Sequence, residues 1–426
     1  MINILKLKLI KTYIFIAAFT PLEAFLAPVI VVFYLKYIGI SFIQYSNYIA
    51  LLLILNSLLE VPMGVVSDLI GRKKALIIGN FIYFISMGVI LYTPNIYTLY
   101  ITAISFSIGS TLSSGNLGSI AYEIFSDNKI EDKYGIFFSK VGSISIGVSA
   151  LAALAGGYLA DIDISYPMIV DTLILGSKVL IGILIFVVFW PRNIDNNEKN
   201  SEQNNRESNT HKNKINLNII LSDFKKAKDV ILKKDYLLSL ILGAACFSLL
   251  RTSLNFYQPA LVSTGVSETE LGYLFSFGIL ISSLISFLCT HYNLIKMEIK
   301  FGYYFMVVMS LSSSLLFLYD NGIHFLFFLG FIFHQIIRVI IPSIESHNIQ
   351  FSIPRNYKYR TSVISFSFLF KAIVTAIFIS ITGYITSKDI SYTNTLVFLH
   401  VSIIVALVLS LFFLRNIKEK KSMEAL

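Results

Sequence analysis

The chain has 426 residues, 55% of them hydrophobic and 14% charged, with a mean hydropathy of +0.73. Soluble globular proteins carry roughly 25% charged residues, so the composition excludes a large aqueous domain and points to a chain that lives in a bilayer. The net charge of +9 would suit a polyanion, but the basic residues sit in short stretches between apolar runs, which excludes a nucleic-acid surface.

A helix needs about 20 apolar residues to cross a bilayer, and twelve runs qualify. The N-terminal sequence MINILKLKLIKTYIFIAAF mimics a secretory leader, with lysines before an apolar core. The run continues to about Tyr37, however, longer than a leader core, and predicts a retained first span over 12–37. Further spans are expected at 43–65, 75–93, 97–122, 136–160 and 166–190. These complete an N-terminal six-helix half, residues 1–190.

Residues 191–235 interrupt the pattern with an Asn-, Lys- and Glu-rich linker whose first part has a disordered composition. Its second part, around LSDFKKAKDVILKKD, has the pattern of a basic amphipathic helix on the membrane surface. Six more spans follow at 236–260, 270–291, 301–319, 323–345, 362–386 and 391–414, a C-terminal half over 236–414, and then a tail over 415–426. Cys246 and Cys289 both lie within apolar runs and are read as core residues rather than as a disulfide or metal pair.

Lysine and arginine set the orientation. With the N-terminus in the cytoplasm, most of the 34 basic residues fall on cytoplasmic segments, and only Lys36 and Lys388 lie near the outer side. The expected fold is an all-α membrane protein of twelve transmembrane helices in two six-helix halves. Both termini are cytoplasmic, and the chain is a multi-pass protein of the cytoplasmic (inner) membrane.

Ionisable residues at membrane depth face partners or wet cavities, and they are the first site candidates. Glu23 sits in the first span between Pro21 and Pro28 and is a candidate to load and release a proton. Asp171 and Lys178 share a face of span 6, where a static pairing of Asp171 is an equal alternative. Span 7 carries Arg251, with Asn255 and Gln258 at i+4 and i+7. Span 10 carries His334, Arg338 and Glu345 as one polar stripe, which also reads as an internal salt-bridge network. Span 11 carries Lys371. Acid thus predominates in the first half and base in the second, which suits a zwitterionic or partly anionic amphiphile.

The turn between spans 2 and 3, VPMGVVSDLIGRKKALIIG, places Gly64, Asp68, Gly71, Arg72 and Lys73 in the pattern G-x-x-x-D-x-x-G-R-[KR]. This resembles the signature loop of the major facilitator superfamily. Span 4 adds Ser114, Gly115, Tyr122 and Glu123 in a pattern similar to bacterial twelve-span exporters, the drug:proton antiporter-like group. The resemblance implies that Asp68 faces the start of span 11 near Thr361 and that Arg72 reaches Glu123. Together they form a conformational latch between halves. Gly64 and Gly71 are expected to permit the tight reversal. The sequence departs from the pattern at Ser67, Leu69 and Ser105, and the second half keeps only basic charge at the corresponding turn. The stripe GVSALAALAGG in span 5 resembles the antiporter motif but has Ala153 at the proline position, so close packing by small residues explains it equally well.

The resemblance implies a secondary active transporter working by alternating access. Its expected role is proton-coupled efflux of a drug-like, antibiotic or peptidic compound. A nutrient importer of the same fold is the alternative, and a lipid-linked oligosaccharide flippase is the alternative of another class. No cofactor, metal site or enzymatic activity is expected. The expected partners are a small-molecule substrate, protons and the lipid bilayer, and the chain is expected to act as a monomer.

Overall fold

The computed structural model describes residues 2–190, 234–291, 329–336, 360–388 and most positions in 390–409. Among them all regular structure is helical. The first part of the chain forms α1 (Ile2–Phe19), α2 (Ile30–Lys36), α3 (Phe42–Ile70), α4 (Arg72–Tyr92), α5 (Ile96–Ser113), α6 (Asn116–Asp127), α7 (Asp132–Ile162) and α8 (Tyr166–Ile183). A π-turn over Leu184–Val188 continues α8. The second part contributes α9 (Lys234–Ser263), α10 (Glu268–His291), a helical segment over 329–336, α11 (Arg360–Thr386) and helical residues over 394–402. Seven of the described helical stretches are long and apolar enough to cross a membrane. The linker 191–233, the spans expected at 301–319 and most of 323–345, and the tail lie outside the described residues.

The apolar run 12–37, expected as one helix, is two helices separated by a break. α1 starts ten residues earlier than expected and stops at Phe19, and α2 begins at Ile30. Pro21 and Pro28 cause this locally: each lacks an N–H, and each disfavours the α conformation in the residue before it. Between them Glu23 takes a left-handed φ of 52°, a conformation non-glycine residues rarely adopt. Span 4 is broken too. α5 ends at Ser113, Gly115 has φ 72°, and α6 begins at Asn116. The Asn116 side chain repairs that break, donating to the Leu112 carbonyl at 2.6 Å and accepting from Ser67 Oγ at 2.6 Å.

Short turns join the helices at two rims. One rim holds 37–41, 93–95, 163–165, 264–267, 387–388 and 390–391; the opposite rim holds Gly71 and 128–131. The closest packings between the two parts of the chain are α7 on α10 and α3 on α11. Within a bilayer such contacts rest on van der Waals fit and polar bonds, because lipid tails are as apolar as the side chains. A Cβ placed on Gly157 would stand 2.6 Å from the Glu268 carbonyl oxygen and 2.6 Å from Gly272 Cα, so α7 and α10 meet backbone to backbone. Gly383 of α11 sits as closely on Ser46 of α3. Phe42 packs at a tilt against Phe256 and edge-on against Tyr392, Lys36 pairs with Glu268 at 2.5 Å, and Thr269 donates to Asp161.

These contacts all belong to the first rim. Toward the other rim, α3 buries only Ser67 beyond Ala50 among the described residues. Among the described residues, the two parts are therefore sealed together at one end and separate toward the other.

Candidate functional site

A broken helix in a membrane must find new partners for its freed backbone groups. Here two side chains do the work. Asp171 of α8 accepts the Leu26 amide at 2.9 Å and the Phe25 amide at 3.3 Å. Gln258 of α9 accepts the Val31 amide at 2.7 Å and donates to the Ala27 carbonyl at 2.8 Å. Gly156 of α7 packs directly on the Phe25 carbonyl, leaving no room for a side chain. Asp171, expected in the cavity with a static role as the alternative, is thus a backbone brace. Lys178, two turns further along α8, is half-buried.

The break presents Glu23, whose Oε1 accepts from Tyr83 Oη at 3.0 Å. Four tyrosines surround this region. Tyr34 lies against Tyr45 and Tyr48 with ring centroids 5.5 and 5.4 Å apart, and Tyr83 packs on Phe106 at 4.2 Å. From the second part of the chain, Arg251 of α9 lies within electrostatic reach of both Glu23 and Tyr45. One turn along, Asn255 accepts from Tyr45 Oη at 3.3 Å. Its Nδ2 is buried without a hydrogen-bond partner. The acid of one part and the base of the other therefore face a common tyrosine-walled region. Sequence reasoning missed the tyrosines because each sits in an apolar run and reads as core.

The remaining basic and histidine candidates are packed elsewhere. His334 is fully buried, with Nε2 3.1 Å from the Leu250 carbonyl. It belongs to an aromatic cluster with Tyr257 and His400, in which Tyr257 Oη lies 3.0 Å from His400 Nε2. Lys371 of α11 is buried, with Nζ 5.9 Å from the Phe247 ring and 5.6 Å from the Phe368 ring. Arg338 and Glu345 lie outside the described residues, as do the side chains of Cys246, Cys289 and Thr361. Among the described residues no group of three or more His, Cys, Asp or Glu is placed to hold a metal ion.

The charged turn sits at the rim where the two parts are separate. Gly71 alone makes the reversal, with φ 92°, and it both ends α3 and begins α4. Gly64, expected to share that role, is an ordinary helical residue facing open space, because α3 runs unbroken through Pro62 to Ile70. Arg72 donates through Nε to Asp68 at 3.3 Å and through Nη1 to Glu123 of α6. The side chains of Asp68 and Glu123 are 67% and 58% exposed. Lys73 lies over the ring of Trp190, 4.4 Å from its centroid. A cleft of about 400 Å³ opens beside the pair, lined by Arg72, Gly115, Ser119, Tyr122, Glu123 and Tyr134 among others.

Comparison with known proteins accords with this architecture. An uncharacterised MFS-type transporter of Bacillus subtilis, YxaM, is 25% identical over 239 residues, 56% of this chain. The chain spans about half the length of that relative, 55%. Among solved structures, the nucleoside transporter NupG superposes with a TM-score of 0.70 at 12% identity, covering 97% of this chain and 99% of that one. A POT family transporter bound to a thioalcohol-conjugated peptide gives 0.65 at 16% identity, covering 96% of each. A bacterial homologue of the human lysosomal transporter Spinster, in an inward-facing, unoccupied conformation, gives 0.64 at 14%, again covering 96% of each. At these identities the likeness shows the fold. The profile of the Major Facilitator Superfamily matches residues 13–350, and this multi-pass membrane protein belongs to that family of transporters.

Proposed function

We propose that the protein is a proton-coupled secondary transporter that exports a small drug-like, antibiotic or peptidic compound by alternating access. It would lie in the cytoplasmic membrane, with twelve spans in two six-helix halves and both termini inside. The observation that carries the reading is Glu23, held at the left-handed break of the first span within electrostatic reach of Arg251 of the other half. Discontinuous helices in transporters mark the midplane site where substrate and coupling ion bind. Glu23 is the proton carrier in this scheme. Arg251, with Asn255, supplies the opposite charge and a free amide donor. A zwitterionic or partly anionic compound with an aromatic or aliphatic body matches both ends and the tyrosine walls.

The sealed rim is then the outer side, and the separate rim, with its arginine and lysines, faces the cytoplasm. Asp68, Arg72 and Glu123 form the cytoplasmic latch. In this open state Arg72 holds both acids within its own half. When the cytoplasmic side closes, Asp68 would turn to the start of α11.

Everted vesicles energised with a proton gradient and challenged with a panel of zwitterionic compounds test this. A substrate that dissipates the gradient in wild type but not in Glu23→Gln is expected. Gradient-driven uptake into whole cells would reverse the direction, and equal activity in Glu23→Gln would remove Glu23 from the coupling.

A further inference from the structure

The break in the first span is braced from both halves. Asp171 holds Phe25 and Leu26 from the same half, while Gln258 holds Ala27 and Val31 from the opposite half. The brace also touches the sealed rim. Gly156 packs on Phe25, and its neighbour Gly157 forms the backbone seam with Gly272 of α10. Adjacent residues of α7 thus receive the broken segment on one side and the opposing half on the other.

From this geometry we infer that Gln258 is a positioning residue that ties the order of residues 27–31 to closure of the α7–α10 seam. The inference rests on the alternating-access reading. While the seam is shut, Gln258 satisfies one donor and one acceptor of the broken segment. When the halves part, α9 carries the Gln258 amide away, and the Val31 N–H and Ala27 carbonyl lose their partner. The Asp171 bonds stay, because both ends belong to one half. The segment that presents Glu23 is therefore held from both halves in one state and from its own half alone in the other. Coupling of this kind is reciprocal: whatever loosens the segment also favours seam opening.

Hydrogen exchange with residue-level resolution on protein in lipid nanodiscs tests this without a known substrate. Gly157→Ala forces the seam apart, and Lys36→Ala, which removes the rim pair with Glu268, is a second way to loosen it. Exchange at Val31 is expected to rise roughly tenfold in a variant that opens the seam. It should match the rate in Gln258→Leu, with no further gain in the double variant Gly157→Ala/Gln258→Leu, while Leu26 remains protected as in wild type. Gln258→Leu should in turn speed exchange across residues 268–274. Val31 protected as in wild type when the seam opens would overturn the inference. So would unchanged exchange over 268–274 in Gln258→Leu. Glu23 is native in every variant, so loss of proton coupling in the vesicle assay and loss of this linkage are separate outcomes.

Discussion

Asp171 accepts the amides of Leu26 and Phe25, so a carboxylate of α8 replaces helix bonds that the first span gave up. Asp171→Ala leaves two donors unpaired among buried groups, each costing about 1–3 kcal/mol. The variant is expected to lose thermal stability in detergent, with a smaller loss for Asp171→Asn, which keeps one acceptor oxygen. A melting temperature equal to wild type in both variants would show that the two amides find other partners.

Asp163 lies in the turn between α7 and α8, outside the spans. Its carboxylate accepts the Ser165 hydroxyl at 2.6 Å and the Ser165 amide at 2.8 Å. These bonds hold it below the ordinary carboxylate value. A folded value below the unfolded one adds stability at higher pH, and that stability disappears as pH falls through the folded value. Ser165→Ala removes the hydroxyl bond and brings the folded value closer to the unfolded one, so the stability lost on acidification is expected to be smaller and its loss complete at higher pH. Thermal scans from neutral to acid pH measure it, and superimposable limbs would contradict the assignment.

Arg72 bridges Asp68 and Glu123 on an exposed rim. Exposed pairs contribute about 0–1 kcal/mol to stability. Arg72→Ala is therefore expected to unfold close to wild type while losing most transport turnover. Arg72→Lys keeps the charge but not the fork that spans two carboxylates, and should recover only part of the turnover. Full transport by Arg72→Ala would leave the latch without a function.

Tyr83→Phe removes the hydroxyl that bonds Glu23 and keeps the ring against Phe106. Stability should change by no more than about 1.5 kcal/mol. Vesicle transport should show a displaced pH profile, and an undisplaced one would separate Tyr83 from the proposed proton step.

Hydropathy located the seven described helices that are long and apolar enough to cross, but it could not see where a span stops being helical. Pro21, Glu23 and Pro28 lie among enough apolar residues that 12–37 reads as one span. The groups that permit the break, Asp171 and Gln258, are 145 and 227 residues from the amides they hold. Only the two prolines around an acid hinted at it. The charged turn was easier to read, because its residues act within a few positions of one another and Glu123 sits in the next hairpin. Gly64 was over-read: a glycine in a motif suggested a bend that the helix does not make. The tyrosines and the Tyr257–His400 pair had no signal of their own, since aromatic residues in a membrane run look the same whether they face lipid or a polar site.

Trp190 is the single tryptophan of the chain. Its buried ring lies between Lys73 of the signature turn and Lys6 of α1, with the two ammonium groups 4.4 and 5.8 Å from its centroid. An indole emits according to the charge and water around it, and no other residue here shares its red-edge excitation. Nature has placed one fluorophore beside the turn, so its emission can follow the movement of Lys73 in unlabelled protein, in real time, as a ligand is added.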